Sequence, residues 1–171
     1  MTHALRAETP ASSDLPEEGP AYDLIELLFF AYRDFVGDPD RILAVYDFGR
    51  AHHRVLHFVD RRPGLTIAEL LDILKITKQS LNRVLKELID KGFIESRTGT
   101  ADRRQRLLFT TPQGHELALR LAEVQTRRIA GALASAPAEL KGAASRFLLA
   151  MIDPADRHRI EGVSDGARQR R

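Results

Sequence analysis

The side chains best suited to chemistry in this chain are cationic and amide-bearing, and they fall into two groups. Gln79, Asn82 and Arg83 lie within one short stretch, flanked by Thr77, Lys78, Ser80 and Lys86. Arg103, Arg104 and Arg106 come later, beside Asp102 and after Arg97. A guanidinium forks onto the O6 and N7 of guanine, and a carboxamide onto the N6 and N7 of adenine. Arginines at a loop tip suit phosphates or a narrow minor groove. These residue types point to double-stranded DNA. Gln79, Ser80, Asn82 and Arg83 are expected at base edges, and Lys78 and Lys86 at phosphates.

A third group is histidine-rich. His52, His53 and His57 cluster, and His53, His57 and Asp60 share one helical face at i, i+4 and i+7. Two imidazoles at that spacing could chelate a metal or meet a haem, with the carboxylate as a further ligand. The same spacing also suits partly buried residues satisfied by their neighbours, or the wall of a small-molecule pocket. No motif in the chain names a ligand, and no cofactor is expected.

The elements that must hold these groups can be read from caps and periodicity. Thr66-Ile67-Ala68-Glu69 has the form of a capping box and opens a short helix ending near Leu74. Lys75-Ile76-Thr77 then makes a tight turn, with Thr77 as N-cap of a second helix. Leu81, Val84, Leu85, Leu88 and Ile89 form its apolar stripe, and Gly92 is its C′ glycine. Two helices joined by so short a turn form a helix-turn-helix, whose second helix usually reads DNA. Phe93 to Arg97 and Arg106 to Thr110 are strand-like, with the loop Thr98–Gln105 between them. Thr111-Pro112 places a cap and an N1 proline at the start of another helix.

Charge supports the same assignment. The formal net charge is +2, yet residues 1–40 carry two basic against nine acidic side chains, and residues 75–106 carry nine against four. The basic excess falls on the helix and loop that geometry independently assigns to DNA.

At this point the chain resembles a known family. The run LKELIDKGFIESR out of the second helix, the Asp102-Arg103-Arg104 loop and the following TTPQG resemble the winged helix of MarR-family bacterial transcriptional regulators. The likeness spans roughly Tyr22 to Met151, and GRAHHRVLHFVDRRPGLT with ITKQSLNRVL is similar to its PetP-like subgroup. The resemblance implies a mainly α fold with a small β-hairpin wing: a winged helix-turn-helix between N- and C-terminal dimerisation helices. It implies a homodimer on a pseudo-palindromic operator, with Asp102 orienting Arg104 into the minor groove. It also implies a small-molecule effector in a crevice lined by Phe30, Tyr46, Phe48, His52, His53, Leu56 and His57.

The remaining organisation follows from composition. Residues 1–20 are acidic, polar and proline-bearing, and are expected to be disordered. Residues 21–60 should form the N-terminal helices, 61–111 the DNA-binding lobe, 112–152 the C-terminal dimerisation helices and 153–171 a polar tail. Tyr22 to Val36 is apolar almost all round, so a second subunit is expected to cover it. Asp38-Pro39 should start a further helix running to about Val59. The long helix from Pro112 should break at Ser135-Ala136-Pro137, with a last helix ending near Met151.

Other classes are weaker. There are no cysteines, which excludes disulfides and thiolate zinc sites. No apolar run is long enough for a membrane span and no h-region follows the first residues, so a soluble cytoplasmic protein is expected. No nucleophile-elbow, phosphate-loop, zinc-protease or dinucleotide motif supports an enzyme. The alternatives are a metal- or haem-binding sensor through the histidine helix, and a winged-helix interaction module that does not read DNA.

Overall fold

A computed structural model describes residues 19–99 and 103–157. Among them lie the helices α1 (Tyr22–Ala44), α2 (Arg50–Arg61), α3 (Ile67–Leu74), α4 (Lys78–Asp90), α5 (Pro112–Ala134) and α6 (Leu140–Met151). The strands are β1 (Leu65–Thr66), β2 (Ile94–Thr98) and β3 (Arg106–Thr110). They form one antiparallel sheet in the order β1-β3-β2, with Leu108 paired to both Leu65 and Ser96. β1, two residues long, carries no alternation that a sequence could show. The chain divides into two units at Asp34/Phe35. The expected disordered segment lies outside the described residues up to residue 18, as does the tail from 158 onward.

The helix expected to stop at Val36 does not stop there. α1 runs through Pro39 to Ala44. Proline inside a helix removes one backbone hydrogen bond. Here Val36, Pro39 and Leu43 are all buried, at i, i+3 and i+7, and this packing holds the helix together. Asp38, expected as a cap, instead accepts from Arg128 of α5 at 2.7 and 3.1 Å. The real break comes at Asp47, a non-glycine residue with φ 56°. Phe48 N–H donates to Leu43 O at 3.0 Å and Asp47 N–H to Ala44 O at 3.2 Å, a Schellman closure with aspartate in the left-handed position. Leu43 and Phe48, the residues that this closure brings together, are both buried.

The second unit, from Phe35 on, is closed around one core. Val55, Leu56 and Val59 of α2 meet Leu70, Leu74, Leu81, Leu85 and Leu88 beneath the helix-turn-helix. Leu117 and Leu121 of the first turns of α5 complete it. Ile89 was expected on the buried stripe but is 39% exposed. At 3.6 residues per turn it has rotated about 80° from Leu81, past the edge of the stripe. Gly114 shows how closely α5 crosses this unit. A Cβ there would lie 1.9 Å from Phe93 O, so only glycine lets the helix start pass the β2 strand entry. The expected tail is not wholly free of the fold: a helical turn over 154–157 follows α6, and Asp156 pairs with Lys75 at 3.4 Å.

Candidate nucleic-acid interface

The helix-turn-helix is held by the caps that the sequence predicts. Thr66 Oγ1 accepts from Glu69 N–H at 3.2 Å, and the Glu69 carboxylate accepts from Thr66 N–H at 2.8 Å. Those bonds hold the Glu69 pKa below the usual carboxylate value. α3 ends on Lys75 in the left-handed region, with Arg54 donating to Leu74 O at 3.0 Å. Thr77 caps α4 by accepting from Ser80 N–H at 3.2 Å and donating to Ser80 Oγ at 2.9 Å. Thr77 and Ser80 are therefore engaged with each other at the helix entry.

α4 then separates its two faces. Leu81, Val84, Leu85 and Leu88 are buried, and Lys78, Gln79, Asn82, Arg83 and Lys86 are exposed. Gly92, with φ 77°, closes the helix as expected, with Phe93 N–H on Leu88 O at 2.8 Å. Lys86 pairs with Asp90 one turn on, which raises its pKa. An ion pair so exposed yields readily to a phosphate.

The hairpin is shifted by one residue from the expected β2 boundary, because Phe93 turns into the core. Gly99 N–H donates to Gln105 O at 3.0 Å and closes the loop. Arg103, Arg104 and Arg106 are exposed, and Arg106 also donates to Thr98 Oγ1 at 3.4 Å. Arg97 stacks on the Phe109 ring at 4.5 Å and pairs with Glu95. Asp102, expected to orient Arg104, lies outside the described residues.

Of the readings open for the histidine helix, the structure matches for Asp60 the one in which its side chains are satisfied by their neighbours. Among the described residues no three His, Asp or Glu side chains come together to hold a metal ion. Asp60 instead accepts from Thr110 at the end of β3, at 3.0 Å, and lies 2.8 Å from His115 Nδ1 of α5. It thus ties α2 to the wing and to the start of α5. Nothing in the sequence separates this use from metal ligation, because His115 lies 55 positions away. His53 and His57 have lowered pKa values, mainly through burial.

The structure places the residues expected to line a pocket as follows. Phe48 and Leu56 belong to the core. Tyr46 and His52 pack against Phe48, with ring centroids at 6.0 and 4.7 Å. Phe30 lies in the first unit and is 54% exposed. Of the expected residues, His57 lines a recess of about 240 Å³ with Asp60, Arg61, His115 and Leu119. A wider cleft of about 960 Å³ between α1 and α5 is edged by Arg41, Arg120, Arg127 and Arg128.

Comparison with known proteins gives this arrangement a context. Residues 46–105 match the model of the MarR family. The chain is 48% identical over 141 residues to the HTH-type transcriptional regulator PetP of Rhodobacter capsulatus, covering 82% of this chain and 85% of that one. Streptococcus pneumoniae FabT, solved in complex with DNA, superimposes with a TM-score of 0.68 at 17% identity, covering 75% and 92% of the two chains. A Mycobacterium tuberculosis MarR family protein in complex with p-aminosalicylic acid gives a TM-score of 0.53 at 25% identity, covering 73% and 95%. No helix among the described residues is long and apolar enough to cross a membrane. Helix-turn-helix, wing and relatives agree: the chain belongs to the MarR family of winged-helix transcriptional regulators.

Proposed function

We propose that the protein binds a pseudo-palindromic operator as a homodimer, with α4 in the major groove and the 98–106 loop in the minor groove. The observation that carries this reading is the division of α4. Four apolar residues anchor one face, while Gln79, Asn82, Arg83 and two lysines stand out on the other. Arg83, Gln79, Asn82 and Ser80 read bases, Lys78 and Lys86 hold phosphates, and Arg97, Arg103, Arg104 and Arg106 serve the wing. Residues 61–111 then act as the DNA-binding lobe, and 21–60 with 112–152 as the dimerisation helices. A twofold dimer presents two such helices to two half-sites. The test is binding across a randomised duplex library. Each bidentate pair contributes roughly 1–3 kcal/mol of base discrimination. Arg83→Ala should flatten the preference at one position in each half-site, and Lys86→Ala should weaken all sequences alike. An unchanged preference profile for Arg83→Ala would remove Arg83 from base readout.

A second reading adds a small effector. The recess beside His57, Asp60, Arg61 and His115 supports it, since its walls join α2 to α5. The p-aminosalicylic acid held by the M. tuberculosis relative supports it too. An aromatic carboxylate titrated against the DNA complex should shift its affinity in the wild type and not in Arg61→Ala/His57→Ala.

A further inference from the structure

The corner between α1 and α2 lies against the C-terminal end of α4 and the residues that follow it. Tyr46 O accepts from Lys91 Nζ at 2.6 Å, immediately after α4 ends. The same ammonium sits 5.0 Å from the Phe48 ring centre and 3.8 Å from Asp47. The rings of Tyr46 and Phe48 both meet Phe93 edge-on, at 5.2 and 5.1 Å. His52 stacks on Phe48 with an interplanar angle of 16°. Its Nδ1 accepts from Gly49 N–H at 3.1 Å, so its proton belongs on Nε2. Nε2–H then donates to Glu87 on α4, at 2.8 Å.

We propose that Tyr46, Phe48 and His52 are positioning residues that clamp the C-terminal half of α4, and that the His52–Glu87 hydrogen bond sets the roll of the helix on DNA. The inference rests on the reading of α4 as the recognition helix. Arg83 lies one turn before Glu87, so a rotation allowed at Glu87 carries directly to the base-reading side chains. Packing alone does not explain the bond. The Glu87 side chain is 41% exposed and water could satisfy it. The His52 ring is held by Phe48 and Gly49 whether or not Glu87 is present. Loss of the bond should therefore cost little stability and much orientation.

The experiment measures affinity for the duplex that the wild type selects from a random library, together with thermal unfolding. Glu87→Ala should bind roughly three- to tenfold more weakly, at nearly unchanged unfolding temperature. Charge alone predicts the opposite, because a carboxylate is removed from a DNA-facing helix. Glu87→Gln removes the same charge but keeps an acceptor for Nε2–H, so it should recover most of the affinity. His52→Ala should resemble Glu87→Ala, and the double variant should be no weaker than either. If His52→Ala unfolds, the two Glu87 variants decide, since that side chain is partly exposed. Arg83→Ala is measured alongside. If it binds like the wild type, the reading of α4 fails. If it weakens binding while a folded Glu87→Ala binds as well as or better than the wild type, the clamp is overturned. Glu87→Gln as weak as Glu87→Ala would also overturn it.

Discussion

Two regions of the molecule handle their apolar residues in opposite ways. In the helix-turn-helix, Leu70, Leu81 and Leu88 are fully buried. In α1, Leu24, Leu27, Phe29 and Phe30 are each more than half exposed. The contrast recurs within single helices. α5 buries Leu117 and Leu121 in its first turns and leaves Ile129 50% exposed further on. In α6, Phe147, Leu148 and Met151 are exposed as well. Exposed large apolar side chains in such numbers are the composition of an interaction surface. One region is thus specified by contacts within its own unit, and the proposed homodimer would supply the contacts of the other.

The strongest way to break this comparison is to charge the exposed face. Leu27→Asp with Phe29→Asp leaves the helix-turn-helix core untouched. If a second copy covers that face, the variant should sediment as a monomer or aggregate, while the wild type sediments as a dimer. Operator affinity should fall by roughly 10²-fold or more, because two linked half-site contacts become one. A monomeric wild type, or a dimer that survives both aspartates, would mean that the face serves another purpose.

A smaller effect tests the closed region. Gly114→Ala places a methyl group 1.9 Å from Phe93 O, where α5 crosses the chain between α4 and β2. Backbone cannot yield there as a flexible side chain would, and overpacking of this kind costs roughly 1–3 kcal/mol. The denaturation midpoint, read at fixed protein concentration, should drop accordingly. An unchanged midpoint would show that the closed region is looser than its packing implies. Gly131→Ala, with open space around its Cβ, is the matched control in the exposed part of α5.

How much of this was legible in the sequence depends on whether the cause was local. The capping box at Thr66, the Thr77 cap, the Gly92 closure and the Thr111-Pro112 start are interactions between near neighbours, and the residues themselves spell them out. The continuation of α1 through Pro39 was not legible, because burial of Val36, Pro39 and Leu43 along one face outweighs the local signal of the proline. The Asp47 turn was missed because aspartate enters the left-handed region far less often than glycine. The site divides the same way. The exposed face of α4 follows from its period, whereas the partners of Asp60 and His52 lie 55 and 35 positions along the chain. Spacing on one helix left a metal, a pocket and residues satisfied by their neighbours all open, and packing against other elements puts Asp60 and His52 to use in holding the lobe together.

The wing sharpens the comparison from the side of the polar residues. Arg104 is exposed at the hairpin tip, so its removal should act on DNA binding far more than on stability. Arg104→Ala should weaken binding several-fold and lower the salt slope by about one unit. Arg104→Lys should restore the slope but not the full affinity, since an ammonium lacks the planar fork. Asp102→Ala should weaken binding if that carboxylate orients the arginine. Tighter binding at moderate salt would show that charge alone governs the wing.

The smallest effect concerns protons at the border of the closed region. His53 is half-buried on α2, and burial first, then the neighbouring His57, lowers its pKa against the pull of Asp40. His57 is pushed the same way by burial and Arg61, against Asp60. In the unfolded chain both take up a proton near pH ~6.5. The folded protein resists protonation until the pH is lower, so between the two values the unfolded state holds more protons and stability rises with pH. Their contribution is complete above that unfolded value and is lost as pH falls through the lowered folded-state values. Thermal unfolding between pH 8 and 5, at one protein concentration, should show the loss beginning below about 6.5. His53→Gln with His57→Gln should reduce that slope. The Glu69 capping box does not confuse the result, because its lowered pKa moves its own loss to still more acidic solution. Stability that rose on acidification would reverse the sign and show that the pull of Asp40 and Asp60 outweighs burial. An unchanged slope in the double variant would move its origin to other groups.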